Sequence, residues 1–186
     1  MIINKAKSTD SVGASVQQGK GVSDALKGGG VFAIKCYDKD GNLKWEDRSH
    51  NLVVNVGLAD MNDKYFSGSG YTAAWYIGLY GAGATNDPAA GDTMASHAGW
   101  TEVTAYSQAT RPAATFGSAT VADPSVINNS ASVAVFSING TTTVGGAFLT
   151  SDDTKSGTSG ILFSAADFAS PGDRAVVSGD TLNVTY

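Results

Sequence analysis

From residue 71 to residue 186 the sequence breaks into short runs of alternating apolar and polar side chains, bounded by Gly, Asn, Asp or Pro. The runs are "AAWYIGLY" at 73–80, "TEVTAY" at 101–106, "ASVAVFSI" at 131–138, "VGGAFLT" at 144–150, "GILFS" at 160–164 and "LNVTY" at 182–186. A period of two puts successive side chains on opposite faces of a strand, and the residues between the runs are turn formers. Ahead of them, "VFAIKCYDKDGNLKWEDRSH" at 31–50 reads as a β-hairpin. Phe32, Ile34 and Cys36 alternate on one face, and "DKDGN" at 38–42 is the turn, with Gly41 free to take positive φ. "GDT" occurs at 91–93 and again at 179–181, where it predicts a tight turn into the last strand. About eight evenly punctuated strands predict a mainly β chain. Residues 31–186 are expected to form a β-sandwich on a Greek-key or jelly-roll path.

One stretch departs from this pattern. "LVVNVGLADMNDKYF", at about 52–66, predicts an α-helix with an apolar stripe of Val53, Val56, Met61 and Tyr65. Gly57 weakens it, and "SGSG" at 67–70 ends it. Residues 1–30, "MIINKAKSTDSVGASVQQGKGVSDALKGGG", hold no sustained period and close on three glycines. They read as an extended N-terminal arm that cannot order by itself. Such an arm is expected to dock on a neighbouring subunit or a capsid, with its own domain as the alternative surface. Lys5, Lys7, Lys20 and Lys27 against Asp10 and Asp24 give the arm a net charge of +2. The whole chain carries -5, so the remaining residues carry -7.

Charge bounds the function further. Only 16% of residues are charged, against roughly 25% in an ordinary globular domain. Charge keeps free surfaces in water, so a surface this poor in it is suited to being covered. The acidic balance, with a pI of about 4.8, argues against nucleic acid and against an anionic membrane as partners. No apolar run is long enough to span a bilayer, and the N-terminal residues lack the apolar centre of a signal peptide. The expectation is a protein made in a cytoplasm.

Catalytic and metal chemistry finds little to stand on. Cys36 is the one cysteine, so no internal disulfide is expected, and its strand context predicts a packed, inert thiol. His50 and His97 are far apart, and no GxSxG elbow places a serine against either. One cysteine and two histidines cannot make a zinc site. Asp87 with Asp92, and Asp152 with Asp153, are the candidates for a cation, but neither pair has the spacing of an EF-hand loop and Asp here is a turn former first. Glu46 and Asp47 fall on opposite faces of a strand, and Glu102 is expected to be solvated or paired with Arg111. None of them makes a glycosidase pair. No glycine cluster matches a phosphate-binding loop. Trp45, Trp75, Tyr76, Tyr80, Trp100 and Tyr106 are expected in core and interface rather than on a sugar platform. Trp75, Ile77 and Leu79 should line one face and Tyr76 and Tyr80 the other. The dense stretch "GDTMASHAGWTEVTAYSQATRP" at 91–112 reads as packing and turn chemistry: Asp92 capping a turn at 93–97, Trp100 as anchor, and a strand at 101–106. The expectation is no catalytic residue, no metal site, no cofactor and no enzyme.

Four ordered segments carry a resemblance: "NLVVNVGLADM", "AAWYIGLYG" through "GDTMASHAGWTEVTAYSQATRP", "GGAFLTSDDTKSGTSGILFSAADF" and "VVSGDTLNVTY". Together they resemble small virion structural proteins of tailed bacteriophages, over about residues 32–186. The resemblance implies a non-enzymatic head decoration or cement protein. Such a protein sits on the capsid exterior and ties major capsid subunits together, as a homo-oligomer with a trimer preferred over a dimer. A tail or fibre adaptor, or a receptor-binding component, is the alternative. The resemblance brings no catalytic residues, and it does not reach the arm.

Overall fold

The structure, a computed structural model, describes residues 28–71, 73–81, 87–122, 124–169 and 172–186. The arm expected at residues 1–30 lies outside the described residues except for Gly28–Gly30, as does Asp123 among the charged positions.

Among the described residues there are nine strands and one helix, in two antiparallel sheets. They are β1 (Val31–Tyr37), β2 (Leu43–His50), β3 (Leu52–Val53), α1 (Asn55–Tyr65), β4 (Tyr76–Gly81), β5 (Ala134–Ser137), β6 (Thr142–Thr150), β7 (Leu162–Asp167), β8 (Arg174–Val176) and β9 (Thr181–Thr185). The first sheet runs β2-β1-β9-β5 and the second β3-β7-β6-β4. β8 pairs with the start of β6, collinear with β7 on the same side. Phe32, Ile34, Cys36, Phe136, Leu182 and Val184 of the first sheet pack on Ile77, Leu79, Val144, Ala147, Leu149 and Val176 of the second, and all are buried. The expected mainly β sandwich is the fold. Two antiparallel neighbour pairs, β1–β2 and β6–β7, and the side-by-side first and last strands describe its order.

The β1–β2 turn forms as its residues predict. Asp38 Oδ1 accepts from the backbone N–H of Asp40 and of Asn42, both at 2.9 Å, and Gly41 sits at φ 84°. The Asn42 side chain donates to Asp38 and holds its carboxyl below the usual range. The second "GDT" is likewise a turn, with Gly179 at φ 96° and Asp180 Oδ2 accepting from Val177 N.

The helix begins later than expected. Leu52 and Val53 pair with Ala165 and Ser164 of β7, so the β-branched start of the stretch joins the second sheet and the helix opens at Asn55. The predicted stripe buries only in part: Val53 is buried in β3, Val56 and Met61 are half-buried, and Tyr65 is 79% exposed, while Gly57 is the buried residue of the helix. A Cβ at Gly57 would lie 2.4 Å from the Phe163 carbonyl oxygen of β7. The glycine that lowers helix propensity is what lets the helix touch the sheet backbone. Gly57→Ala would add about 1 kcal/mol of propensity, yet the clash with fixed backbone outweighs it. We expect a net loss of about 1–2 kcal/mol in denaturant unfolding; a gain would contradict this packing.

The strand expected at 101–106 is not one, and the reason is geometric. Residues 101–114 divide their hydrogen bonds between two sheet edges. Gly81 N donates to Thr101 O, Val103 N to Leu79 O, and Ile77 N to Pro112 O, all on β4. Between these contacts the chain crosses to β5, where Ser107 N donates to Ser137 O. The segment thus staples the β4 edge of one sheet to the end of β5 at the edge of the other. The β2 edge instead carries Lys44, Glu46 and Arg48. The short β8 was not anticipated from the sequence.

Candidate interaction surface

The second sheet is covered on both faces. Away from the sandwich core, Tyr80, Phe148, Leu162 and Ala165 pack with Val54, Met94 and Trp100. Tyr80 lies opposite Gly146, and Phe148 opposite Gly78, so each aromatic ring spreads over a glycine on the neighbouring strand. Tyr80 is therefore on the expected face, buried among Met94, Trp100 and Phe148.

This explains the dense stretch. Trp100 is 3% exposed and lies between Tyr80 and Phe148, with ring centroids at 5.2 and 5.3 Å. Its Nε1 donates to Asp92 Oδ2 at 3.1 Å, and Ala89 N donates to the same oxygen. Asp92 thus anchors the indole and does not cap residues 93–97; Thr93 Oγ1 accepts from Ser96 N instead. His97 stacks on Trp100 at 3.9 Å with Nδ1 2.9 Å from the Trp100 carbonyl. Arg111, 1% exposed, makes a bidentate pair with Glu102 at 2.9 and 2.8 Å. It also donates to the carbonyls of Asp152 (2.8 Å) and Gly157 (3.0 Å). Glu102 accepts in turn from Ser156 N at 2.7 Å. Lys155 donates to Tyr106 O, with its Nζ 3.9 Å from the centre of the Tyr106 ring. Of the two expectations for Glu102, pairing with Arg111 is the one realised, and the pair fastens the loop at 151–161.

The other candidate groups are dispersed. Cys36 is fully buried, and burial followed by the Asp180 carboxylate pushes its thiol up to about 11. His50 is exposed at the end of β2. Glu46 faces solvent near Lys35, while Asp47 is buried and bonded to Arg174 Nη2 at 3.0 Å and to Ser49. Asp87 is exposed, and Asp152 Oδ1 accepts from Thr154 N. Tyr80 donates to Asp167 at 3.0 Å, and burial raises both groups above their ordinary values. No group of three His, Cys, Asp or Glu side chains that could hold a metal ion occurs among the described residues. No described helix is long and apolar enough to cross a membrane.

What the surface does offer is apolar. A cavity of about 580 Å³ opens between α1 and the second sheet. Met61 and Tyr65 of α1, Leu149 of β6 and Phe163 of β7 meet Trp75, Phe116, Ile127 and Tyr186 around it. Its walls are braced. Trp75 donates to the Tyr71 hydroxyl at 2.7 Å and stands edge-on to Phe163 at 5.4 Å. The Tyr186 hydroxyl accepts from Asn51 Nδ2 at 2.7 Å. Burial raises the Tyr186 phenol above its ordinary value. Of its lining residues Tyr65, Tyr71 and Ile127 are exposed, and Phe66 (69% exposed) stands edge-on to Tyr65 at 4.9 Å. Sequence reasoning placed Trp75 in core and interface but did not find this groove, because its walls come from segments scattered over the whole chain. Comparison of the chain with models of protein families, with curated proteins and with solved structures finds no match.

Proposed function

We propose that this chain is a bacteriophage head decoration (cement) protein. On this reading it is not an enzyme. It binds the outer surface of the major capsid protein lattice as a homo-oligomer, with a trimer preferred, and is made in the host cytoplasm before joining the virion exterior. The observation that carries the reading is the apolar surface at α1 and the cavity beside it, where Tyr65, Phe66, Tyr71 and Ile127 are all exposed. A cluster of large apolar side chains on a surface poor in charge is stable in water only when a partner covers it. Weak contacts of this kind, repeated over a symmetric oligomer, add up to tight binding. The resemblance of the four segments to phage structural proteins points the same way.

The groove favours this reading over the receptor-binding alternative. Sugar recognition needs exposed aromatic faces with convergent polar groups. Trp100 is buried, and Trp75 lines a cavity whose walls are mostly hydrocarbon and aromatic ring. Such walls suit an apolar protein segment better than a glycan.

The test is co-sedimentation with undecorated capsid shells. Tyr65→Ala together with Phe66→Ala removes two exposed anchors and leaves the fold intact. We expect binding weaker by about tenfold or more, the effect of losing one well-buried anchor, with unchanged thermal unfolding. Unchanged binding would overturn this surface as the docking face.

A further inference from the structure

The apolar groove lies where the chain enters the domain. Gly30 is clamped to Asn51: its N–H donates to Asn51 Oδ1 at 2.6 Å, and Asn51 N donates to Gly30 O at 3.0 Å. The same asparagine donates to the hydroxyl of Tyr186, whose ring lines the groove. Two residues earlier, the position of a Cβ on Gly28 is 3.6 Å from Val53 and 3.8 Å from the Met61 methyl group. Met61 also lines the groove. Chain preceding Gly28 therefore starts at the rim.

We propose that the groove is a docking site for the segment of this same chain just ahead of Gly28, with Leu26 and Val22 as its anchors. These are the apolar side chains nearest the rim, and they are spaced i, i+4 in "VSDALKGGG". Val22 is six residues from Gly28, a reach of about 20 Å when extended. The groove supplies Met61, Trp75, Phe116, Leu149, Phe163 and Tyr186 to cover them. The overall charge agrees: residues 1–27 carry +2 against -7 for the rest. Own-chain docking is favoured over a second copy by the anchor itself. With Gly30 fixed beside the groove, closing a loop of a few residues costs little. The effective concentration of the tethered segment is millimolar. The proposal does not depend on the capsid reading.

The test is limited trypsin digestion of the full chain, reading cleavage after Lys20 and Lys27, in parallel with a Val22→Ser/Leu26→Ser variant. Cleavage of a docked segment tracks the population of its open form. We expect the unaltered chain to be cut about tenfold more slowly than the variant, and equally slowly at every protein concentration. Equal rates for the two proteins would overturn the proposal. Protection that is lost on dilution would overturn it too, by assigning the groove to a second copy.

Discussion

Arg111→Ala is expected to lower stability by about 3–5 kcal/mol, because it strands a buried charge as well as deleting a contact. Glu102 is 7% exposed at its side chain, and its two oxygens are held by Arg111 and by Ser156 N. Without the guanidinium, that carboxylate keeps only the Ser156 N–H while its side chain stays buried, and the half-buried carbonyls of Asp152 and Gly157 each lose a donor. The Phe148 ring, with the Arg111 guanidinium 5.3 Å from its centre, loses cover on one side. For a chain of this length the loss corresponds to a fall in Tm of roughly 10 °C. Thermal unfolding followed by circular dichroism reads it, and amide exchange in residues 151–161 should rise with it. Glu102→Gln combined with Arg111→Met removes both charges and should recover part of the loss. A loss under about 1 kcal/mol for Arg111→Ala would mean that the pair is solvated.

Gly146→Ala is the second large effect, expected at about 3 kcal/mol, the upper end for overpacking. A Cβ at Gly146 would meet the Ala166 carbonyl oxygen of β7 at 2.1 Å and the Tyr80 ring at 2.4 Å. Neither neighbour can step aside. The carbonyl belongs to the backbone of β7, and Tyr80 is buried with its hydroxyl tied to Asp167. Gly78→Ala should cost less, because its clash is with the Phe148 side chain alone, at 2.1 Å. Denaturant midpoints of the two variants give the order directly. A Gly146→Ala protein as stable as the parent would contradict the aromatic-over-glycine packing of β4 on β6.

These two sites mark where the sequence was legible and where it was not. The β1–β2 hairpin, the Gly179 turn and the inward set Phe32, Ile34 and Cys36 follow from neighbours a few residues apart, so a period of two and a turn residue suffice. For Glu102 the sequence left solvation and pairing with Arg111, nine residues away, both open. The buried pair was not legible, because the loop that closes over it lies 41 to 54 residues away. The segment at 101–106 has a strand's alternation but spends its hydrogen bonds on two edges, which no local pattern records. Leu52 and Val53, read as the start of the helix, extend as a strand because β7 is there to pair with. Gly57 looked like a weakness in a helix and is a contact with β7. The groove was invisible for the same reason: it joins Met61, Trp75, Phe116, Phe163 and Tyr186, which no sequence window contains.

Whether this chain decorates a phage head, as we propose, is read by electron cryo-microscopy of intact virions that carry it. We expect density of this two-sheet fold repeated over the icosahedral shell, with the surface around Tyr65, Phe66 and Tyr71 against major capsid subunits. Density confined to the tail or its vertex, or absent from the particle, would contradict it.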